Sequence, residues 1–370
     1  MRVLFLPMPA IGHAFPMVPL AWSLRGHGHE VRFATSGAGL AVEQAGLPVT
    51  DVEPGLTMGT MMQRLRAERP EMAVGNAPVR DITGVVPAFA QVSRYFVEPV
   101  VRIARQYRPD VIVYSSFNGG ALLAAGLLGI PAIDVGVGFG RTSKVGPLLA
   151  AELADVFAEY GTEPPKESAS IDVAPPSMAE VDPADLMMRF VPYNGGAVLP
   201  GWLAEPLARP RIGVTLGTVS PQMNGLSTVE RILAVAEKVE AEFVFALGDV
   251  DLGGFGVVPP NVRLERWVPL DGLLATCTAL VHHGGGGTTL TALDAGVAQL
   301  VLPDGADRHI NAAAVATRGV GLECEPEQVD AAVLGALVEE RGYRDTAAQV
   351  REELHGMPSP GEIARGLDAW

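Results

Sequence analysis

Short apolar runs alternate with amphipathic stretches along the first half of the chain. The apolar runs have the length of strands buried in a parallel sheet, and the stretches between them carry helical spacing. The predicted strands are residues 2–7, 30–35 and 111–114, and the predicted helices are residues 17–25, 41–46 and 119–128. Alternating strands and helices predict a parallel sheet with right-handed crossovers.

A second series of strands begins after a segment rich in proline and glycine. Residues 192–210 resist both helix and strand and are interpreted as a semi-rigid linker. The strands predicted after it are residues 211–216, 243–248, 262–267, 279–283 and 299–303. The chain therefore consists of two similar α/β halves.

The pattern lapses between about residues 55 and 90, a stretch rich in Met, Arg and Pro. No clear period is visible there, and long irregular insertions in compact domains are usually functional or mobile. We expect this stretch and residues 136–140 to form part of a hydrophobic pocket for the acceptor.

Length and charge narrow the class of protein. A chain of 370 residues predicts about two domains. The net charge of -15 and the absence of any basic run argue against nucleic acid or an anionic membrane as partner. Cys277 and Cys324 are far apart, as expected for reduced thiols. The start lacks the plan of a signal peptide, and no apolar run approaches the roughly 20 residues of a membrane span, so a cytoplasmic protein is expected.

The strongest local signal is ALVHHGGGGTTLTALDAG, residues 279–296, in which a strand enters a turn of four glycines and a helix leaves it. Glycines let backbone N–H groups approach an anion, and a helix start adds free donors. His283 and Thr288 add side-chain donors, so a diphosphate is the natural ligand. A tight turn without a ligand is the alternative, although four consecutive glycines carry a large entropic cost.

Three segments of the second half together resemble the donor-binding signature of bacterial natural-product glycosyltransferases (glycosyltransferase family 1). They are VRLERWVPL, VHHGGGGTTLTALDAG and QLVLPDGADRHINAAAVATRGVGL, and IGHAFPMVPLAWSLRGHGHEVRFAT matches the opening of the same family. The linker region FVPYNGGAVLPGWLAEPLARPRIGVTLGT is similar to the branch that transfers deoxysugars to polyketides, including the enediyne glycosyltransferases.

The resemblance implies an α/β protein of the GT-B type, with two facing Rossmann-like lobes, parallel sheets and an interdomain cleft. The implied domains are an acceptor-binding domain at 1–192, a linker at 193–210, a donor-binding domain at 211–354 and a segment at 355–370 that returns to the first domain. The implied reaction is an inverting transfer from a dTDP-sugar to a hydroxyl of a hydrophobic aglycone in antibiotic biosynthesis. The dTDP-sugar is a co-substrate, and neither a cofactor nor a metal is expected. A homodimer is left open.

His13 follows the first strand, where ligands of α/β sheets bind, and a histidine can accept a proton near neutral pH. By the resemblance it is the general base; the alternative is a structural histidine. Many relatives hold this histidine with an aspartate, but the matching position here is Ser115. Either His13 acts without that partner, or Asp134 or another acid replaces it.

The donor residues are also carried over by the resemblance. Trp267 would stack on the base; the alternative is a core aromatic residue. Arg308 stands where glutamine is common in the family, so either the donor sugar is unusual or the Arg308 side chain turns away from it. Asp249 and Asp251 form a DxD-like pair that is interpreted as a solvated loop. The nucleotide and diphosphate residues are Gly217, Thr218, Trp267, Val268, His283, Gly285, Gly286, Gly287 and Thr288, and the donor-sugar residues are Asp307 and Arg308.

Three other functions share these residues. A C-glycosyltransferase would attach the sugar to a carbon of an aromatic polyketide, and the missing aspartate favours it. A non-catalytic helper would bind nucleotide without turnover. A nucleotide-sugar 2-epimerase needs acidic residues around the sugar that do not match here.

Overall fold

The computed structural model describes residues 1–72, 78–140, 143–179, 184–217, 227–248, 255–305 and 307–367. The chain divides into two compact units. Unit 1 comprises Met1–Ala174, Ala179–Gly195 and Met357–Trp370, and unit 2 comprises Pro175–Met178 and Gly196–Gly356.

The described residues form parallel strands, α-helices and short 3₁₀ helices. The strands are β1 (Arg2–Leu6), β2 (Glu30–Thr35), β3 (Val49–Asp51), β4 (Val111–Ser115), β5 (Ala132–Val135), β6 (Ser168–Asp172), β7 (Leu186–Met187), β8 (Arg211–Thr215), β9 (Glu242–Ala246), β10 (Val262–Glu265), β11 (Ala279–His282), β12 (Ala298–Val301) and β13 (Gly321–Glu323). The α-helices are α1 (Ile11–Ala14), α2 (Val18–Gly26), α3 (Met58–Glu68), α4 (Val86–Arg94), α5 (Val97–Tyr107), α6 (Gly119–Leu128), α7 (Val145–Glu152), α8 (Ala154–Glu159), α9 (Ser227–Ala236), α10 (Leu270–Leu274), α11 (Gly286–Ala295), α12 (Arg308–Arg318), α13 (Ala331–Glu339), α14 (Arg341–His355) and α15 (Pro360–Gly366). The 3₁₀ helices are Phe15–Met17, Gly37–Ala45, Pro70–Met72, Ile82–Val85, Pro176–Met178, Gly201–Ala204 and Pro326–Gln328.

Unit 1 is built on a seven-stranded parallel sheet in the order β3-β2-β1-β4-β5-β6-β7. Alternate residues of its apolar strands face opposite layers of helices. Leu4 and Ile112, which are register partners, pack with residues of α4 to α8 on one face. Val3 and Val111, also register partners, line a small cavity together with Leu24 of α2 on the other face. Both faces are covered, as the near-continuous apolar runs predict.

The end of the chain belongs to unit 1. The amide of Arg189 donates to the carbonyl of Pro358 at 2.7 Å, and α15 packs on α2. A capping box starts α15, since the Ser359 hydroxyl accepts from the amide of Glu362 while the Glu362 carboxylate accepts from Ser359.

The prediction of an irregular stretch between residues 55 and 90 is wrong. Helix α3 occupies Met58–Glu68 and begins at a capping box between Thr57 and Thr60. Met61 and Leu65 are buried, with the partly buried Met58 and Met62 beside them, which is the i, i+3, i+4, i+7 spacing of an amphipathic helix. The helix predicted at residues 41–46 lies in the 3₁₀ helix Gly37–Ala45.

Unit 2 is built on a six-stranded parallel sheet in the order β10-β9-β8-β11-β12-β13. Its core contains Val214 and Val281 from the two central strands, together with Phe243 and Phe245 from β9. Each strand predicted in this half is present within two residues of the expected bounds. Among the helices of the described ranges, none is both long enough and apolar enough to cross a membrane.

Candidate functional site

The strand order of unit 2 determines where a ligand can bind. Strand β8 pairs with β9 on one side and with β11 on the other, so the connections leave this centre in opposite directions. A crevice forms outside the carboxyl ends of two strands at such a switch point. Thr215 ends β8 and His282 ends β11, and Thr215 and His282 are register partners. The glycine turn follows β11 at this point.

The glycine turn leads directly into α11, as the sequence indicates. Gly285 is the N-cap, and no described side chain caps the first turn. The Thr289 hydroxyl donates instead to the carbonyl of Gly285 at 3.0 Å, inside the helix. Gly286, Gly287 and Thr288 form the first turn of α11. The amides at the start of α11 therefore present the positive end of the helix dipole to an anion.

His283 lies between two glycines. A methyl group at Gly217 would stand 2.5 Å from Cε1 of the imidazole, and one at Gly285 would stand 2.7 Å from Nε2. The residue is only 8% exposed, and its Nδ1 has no hydrogen-bond partner in the described part of the chain. Glycine at both positions leaves the ring room beside the start of α11.

Burial sets the charge of His283. It holds the pKa of the imidazole well below its usual range, the positive charges of Arg308 and His282 lower it further, and the carbonyl of Thr215 acts in the opposite direction. The ring is therefore neutral at pH 7 and can donate one N–H to an oxygen without adding a charge.

His282 shapes the turn from within the sheet. Its Nδ1 accepts the amide of Gly284 at 3.1 Å, so the proton is on Nε2, which donates to Oε1 of Gln299 at 2.9 Å. Burial lowers the pKa of His282 to about 4, and the bond to Gln299 offsets part of that shift. His282 thus holds Gly284 in its left-handed conformation, with φ of 88°.

Asp307 and Arg308 stand at the start of α12, next to the glycine turn. The side-chain amide of Asn311 donates to the carbonyl of Gly284 at 2.7 Å and ties the two together. Burial raises the pKa of Asp307, while hydrogen bonds, including one from Asn311, lower it. Arg308 forms an ion pair with Asp304, four residues earlier in the chain.

Trp267 is 46% exposed, so the alternative of a core aromatic is wrong. Val268, the next residue, is buried and packs with Val244 and Leu273. Trp267 therefore projects from an anchored backbone, as a stacking platform would. Thr218, Asp249 and Asp251 lie outside the described residues.

In unit 1, His13 lies on the single-turn helix α1, just after β1. It is half-buried, and burial lowers its pKa to about 4. Among the residues that the structure describes, its Nδ1 has no hydrogen-bond partner. Ser115, at the position of the expected aspartate, accepts the amide of Met8 at 2.9 Å, and Asp134 accepts the hydroxyl of Ser116 at 2.6 Å. Nothing described therefore takes the aspartate's place on that ring nitrogen.

A cavity of about 660 Å³ in unit 1 lies between the sheet and helices α7 and α8. Tyr114, Asp134 and Ser170 are register partners on three neighbouring strands and line its floor. Ala150 and Phe157 line it from the helices. The described residues of 56–90 and of 136–140 do not line this cavity, and sequence reasoning missed it. Polar residues within otherwise apolar strands were the available signal.

The fold and the site define the class. The chain has two α/β units, each with a parallel sheet of Rossmann strand order, and one of them has a glycine turn at its switch point. These are the parts of a glycosyltransferase with the GT-B fold. Residues 22–217 match the family described as erythromycin biosynthesis protein CIII-like, N-terminal domain, and residues 230–370 match its C-terminal domain. The chain belongs to this family.

Several named glycosyltransferases are similar to this chain over nearly its whole length. Elloramycin glycosyltransferase ElmGT of Streptomyces olivaceus is 41% identical over 99% of this chain and 97% of its own. The crystal structure of glycosyltransferase SnogD from Streptomyces nogalater matches with a TM-score of 0.87 and 36% identity over 100% of this chain and 99% of its own. SsfS6 of Streptomyces sp. SF2575, solved with thymidine diphosphate, matches with a TM-score of 0.83 and 29% identity over 100% of both chains. The predicted family, fold class and enzyme class are thereby confirmed.

Proposed function

We propose that this glycosyltransferase moves a deoxysugar from a dTDP-sugar to a hydroxyl of a hydrophobic polyketide aglycone. The observation that carries the donor half is the arrangement around His283, in which two glycines, a helix start without a side-chain cap and a neutral donor converge. The names of two relatives support a TDP-sugar as donor and a polyketide as acceptor: one is a TDP-daunosamine transferase and another an elloramycin glycosyltransferase. Free Cys277 and Cys324 fit a cytoplasmic enzyme.

The roles of the two halves follow the same proposal. Residues 1–192 would bind the acceptor, residues 211–354 would bind the nucleotide sugar, 193–210 would link them, and 355–370 would return to the first domain. Trp267 would stack on thymine, Val268 would offer backbone groups to its edge, and Asp307 would bind hydroxyls of the sugar.

In the reaction, the acceptor oxygen forms a bond to the anomeric carbon as the bond from that carbon to the β-phosphate oxygen breaks. His13 takes the hydroxyl proton, the electron pair leaves with TDP, and the anomeric centre inverts. The start of α11 and His283 stabilise the charge that grows on the leaving group. With a pKa near 4, His13 is unprotonated at pH 7 but weakly basic, which suits an acidic phenolic hydroxyl.

The lack of a described partner for Nδ1 of His13 also favours a second candidate, transfer to an aromatic carbon. A carbon nucleophile activated by a neighbouring phenol needs little help from a base, and no described residue assists Nδ1 of His13. Acid hydrolysis of the product separates the two functions, because an O-glycoside releases its sugar and a C-glycoside does not.

The acceptor would occupy the cavity of unit 1. Its volume lies within the range of about 300–1,000 Å³ that is typical of small-molecule pockets. Leu122, Ala150 and Phe157 supply apolar surface, and Tyr114 and Ser170 supply hydroxyls. A wall that combines apolar side chains with hydroxyls and with the carboxylates of Asp134, Glu163 and Asp185 fits a flat polyketide that carries phenols and carbonyls.

Calorimetric titration with TDP and UDP, without added metal, tests the donor site. We expect TDP to bind more tightly than UDP, His283→Ala to weaken TDP binding at least tenfold, and His355→Ala, an exposed histidine of the same unit, to leave it unchanged. A preference for UDP would remove the deoxysugar donor. Failure of the wild-type protein to bind either nucleotide would contradict the proposal itself.

A further inference from the structure

Arg308 is fixed against the glycine turn by its backbone. A methyl group at Gly284 would stand 3.0 Å from the carbonyl oxygen of Arg308 and 3.2 Å from its Cβ. The bond from Asn311 to the carbonyl of Gly284 locks the first turn of α12 in that position. Arg308 therefore lies directly beside the glycine turn that follows His283.

The side chain of Arg308 is largely buried beside the glycine turn. It is 16% exposed and pairs with Asp304, which is 18% exposed. Its charge reaches His283, where it lowers the pKa of the imidazole. Burial lowers the pKa of Arg308 to about 10, so the guanidinium remains charged at pH 7. The site thus combines a permanent cation with a neutral imidazole.

A diphosphate needs this cation more than a sugar does. Neutral His283 offers an N–H but no charge, and the helix start offers only a partial charge of about half a proton. A guanidinium has five N–H donors in a planar fork and can bond a carboxylate on one edge and phosphate oxygens on another. Asp304 would hold the fork in place for that contact.

We infer that Arg308 contacts the terminal phosphate of the bound nucleotide, not the donor sugar, and stabilises the departing TDP. The inference rests on the proposed function, because it assumes that the glycine turn holds the diphosphate. It replaces the role in sugar binding that the sequence suggested for this position.

The test compares nucleotides with and without the terminal phosphate. The affinities of TDP and TMP are measured for the wild type, Arg308→Gln, Arg308→Lys and Arg351→Gln. Arg351 is a matched control, because it lies beside Gly296 at the far end of α11, about 15 Å from the helix start. Arg308→Gln should weaken TDP at least tenfold and TMP less than threefold. Arg308→Lys should recover part of the TDP affinity, because lysine keeps the charge but not the planar fork, and Arg351→Gln should match the wild type.

Three results would overturn the inference. If Arg308→Gln binds TDP as tightly as the wild type, the side chain does not contact the diphosphate. If TDP and TMP weaken equally, or lysine restores nothing, the substitution acts through the shape of the site and not through charge. A wild-type protein that binds neither nucleotide would instead refute the proposed function.

Discussion

Alanine at two glycines of the same turn should have opposite effects on stability. At Gly285, the added methyl would stand 2.7 Å from Nε2 of His283, well inside the normal contact distance, so the ring must rotate away. Overpacking of this kind costs about 1–3 kcal/mol, and alanine is also a poorer N-cap than glycine. At Gly287, nothing lies within 4 Å of the added methyl, and alanine in a helix gains about 0.5–1 kcal/mol over glycine.

Thermal unfolding of the two variants measures this difference. For a unit of this size, about 1 kcal/mol shifts the midpoint by roughly 2–4 °C. Gly285→Ala should therefore melt about 2–12 °C below the wild type, and Gly287→Ala should melt at or slightly above it. Gly285→Ala should also lose affinity for TDP as His283 moves. Equal shifts in the same direction, or a stable Gly285→Ala with normal TDP binding, would refute the fit of the imidazole between the glycines.

Three further outcomes follow from buried or exposed side chains. Burial lowers the pKa of His282 to about 4, so the unfolded chain binds the proton more readily than the folded chain between pH 6.5 and 4. The free energy of unfolding should therefore decrease as the pH is lowered through this range. From pH 7 to 5 this residue alone costs about 2 kcal/mol, and urea unfolding of His282→Asn should show that much less pH dependence. Trp267→Ala should weaken TDP about tenfold through lost stacking, whereas Trp22→Ala, with 45% exposure against 46%, should not; equal effects would exclude a specific stack. Tyr114→Phe should raise KM for the acceptor without changing TDP affinity, because the Tyr114 side chain lines the cavity of unit 1 and not the donor site. An unchanged KM would place the acceptor elsewhere.

Sequence patterns located the sheets well because buried parallel strands are nearly uniform in hydrophobicity. Residues 30–35 and 119–128 coincide with β2 and α6, where Gly129 and the turn residues mark clear ends. Helix α3 was missed because its apolar stripe consists mainly of methionines and a charged face interrupts it. Its start at Thr57 was a readable signal.

The site was predictable in part, for a physical reason. A run of glycines between a strand and a helix predicts a tight turn from local sequence alone, so the turn around His283 could be expected. The contacts that tune it join residues far apart in sequence. Gln299 orients His282, and Arg308 lies beside Gly284. No local sequence pattern reveals either contact. The unit 1 cavity likewise depends on the register of three strands.

The most direct test of the central claim is glycosyl transfer by the wild type and by His13→Ala. A TDP-deoxysugar and a phenolic polyketide are incubated with each protein without added metal, and TDP and glycoside are followed by chromatography with mass detection. The wild type should form both products in equal amounts. His13→Ala should bind TDP normally but transfer at least about 100-fold more slowly, the usual contribution of a general base. Undiminished transfer by His13→Ala would contradict the assignment of the base, and failure of the wild type to form any glycoside from TDP-sugars would contradict the account as a whole.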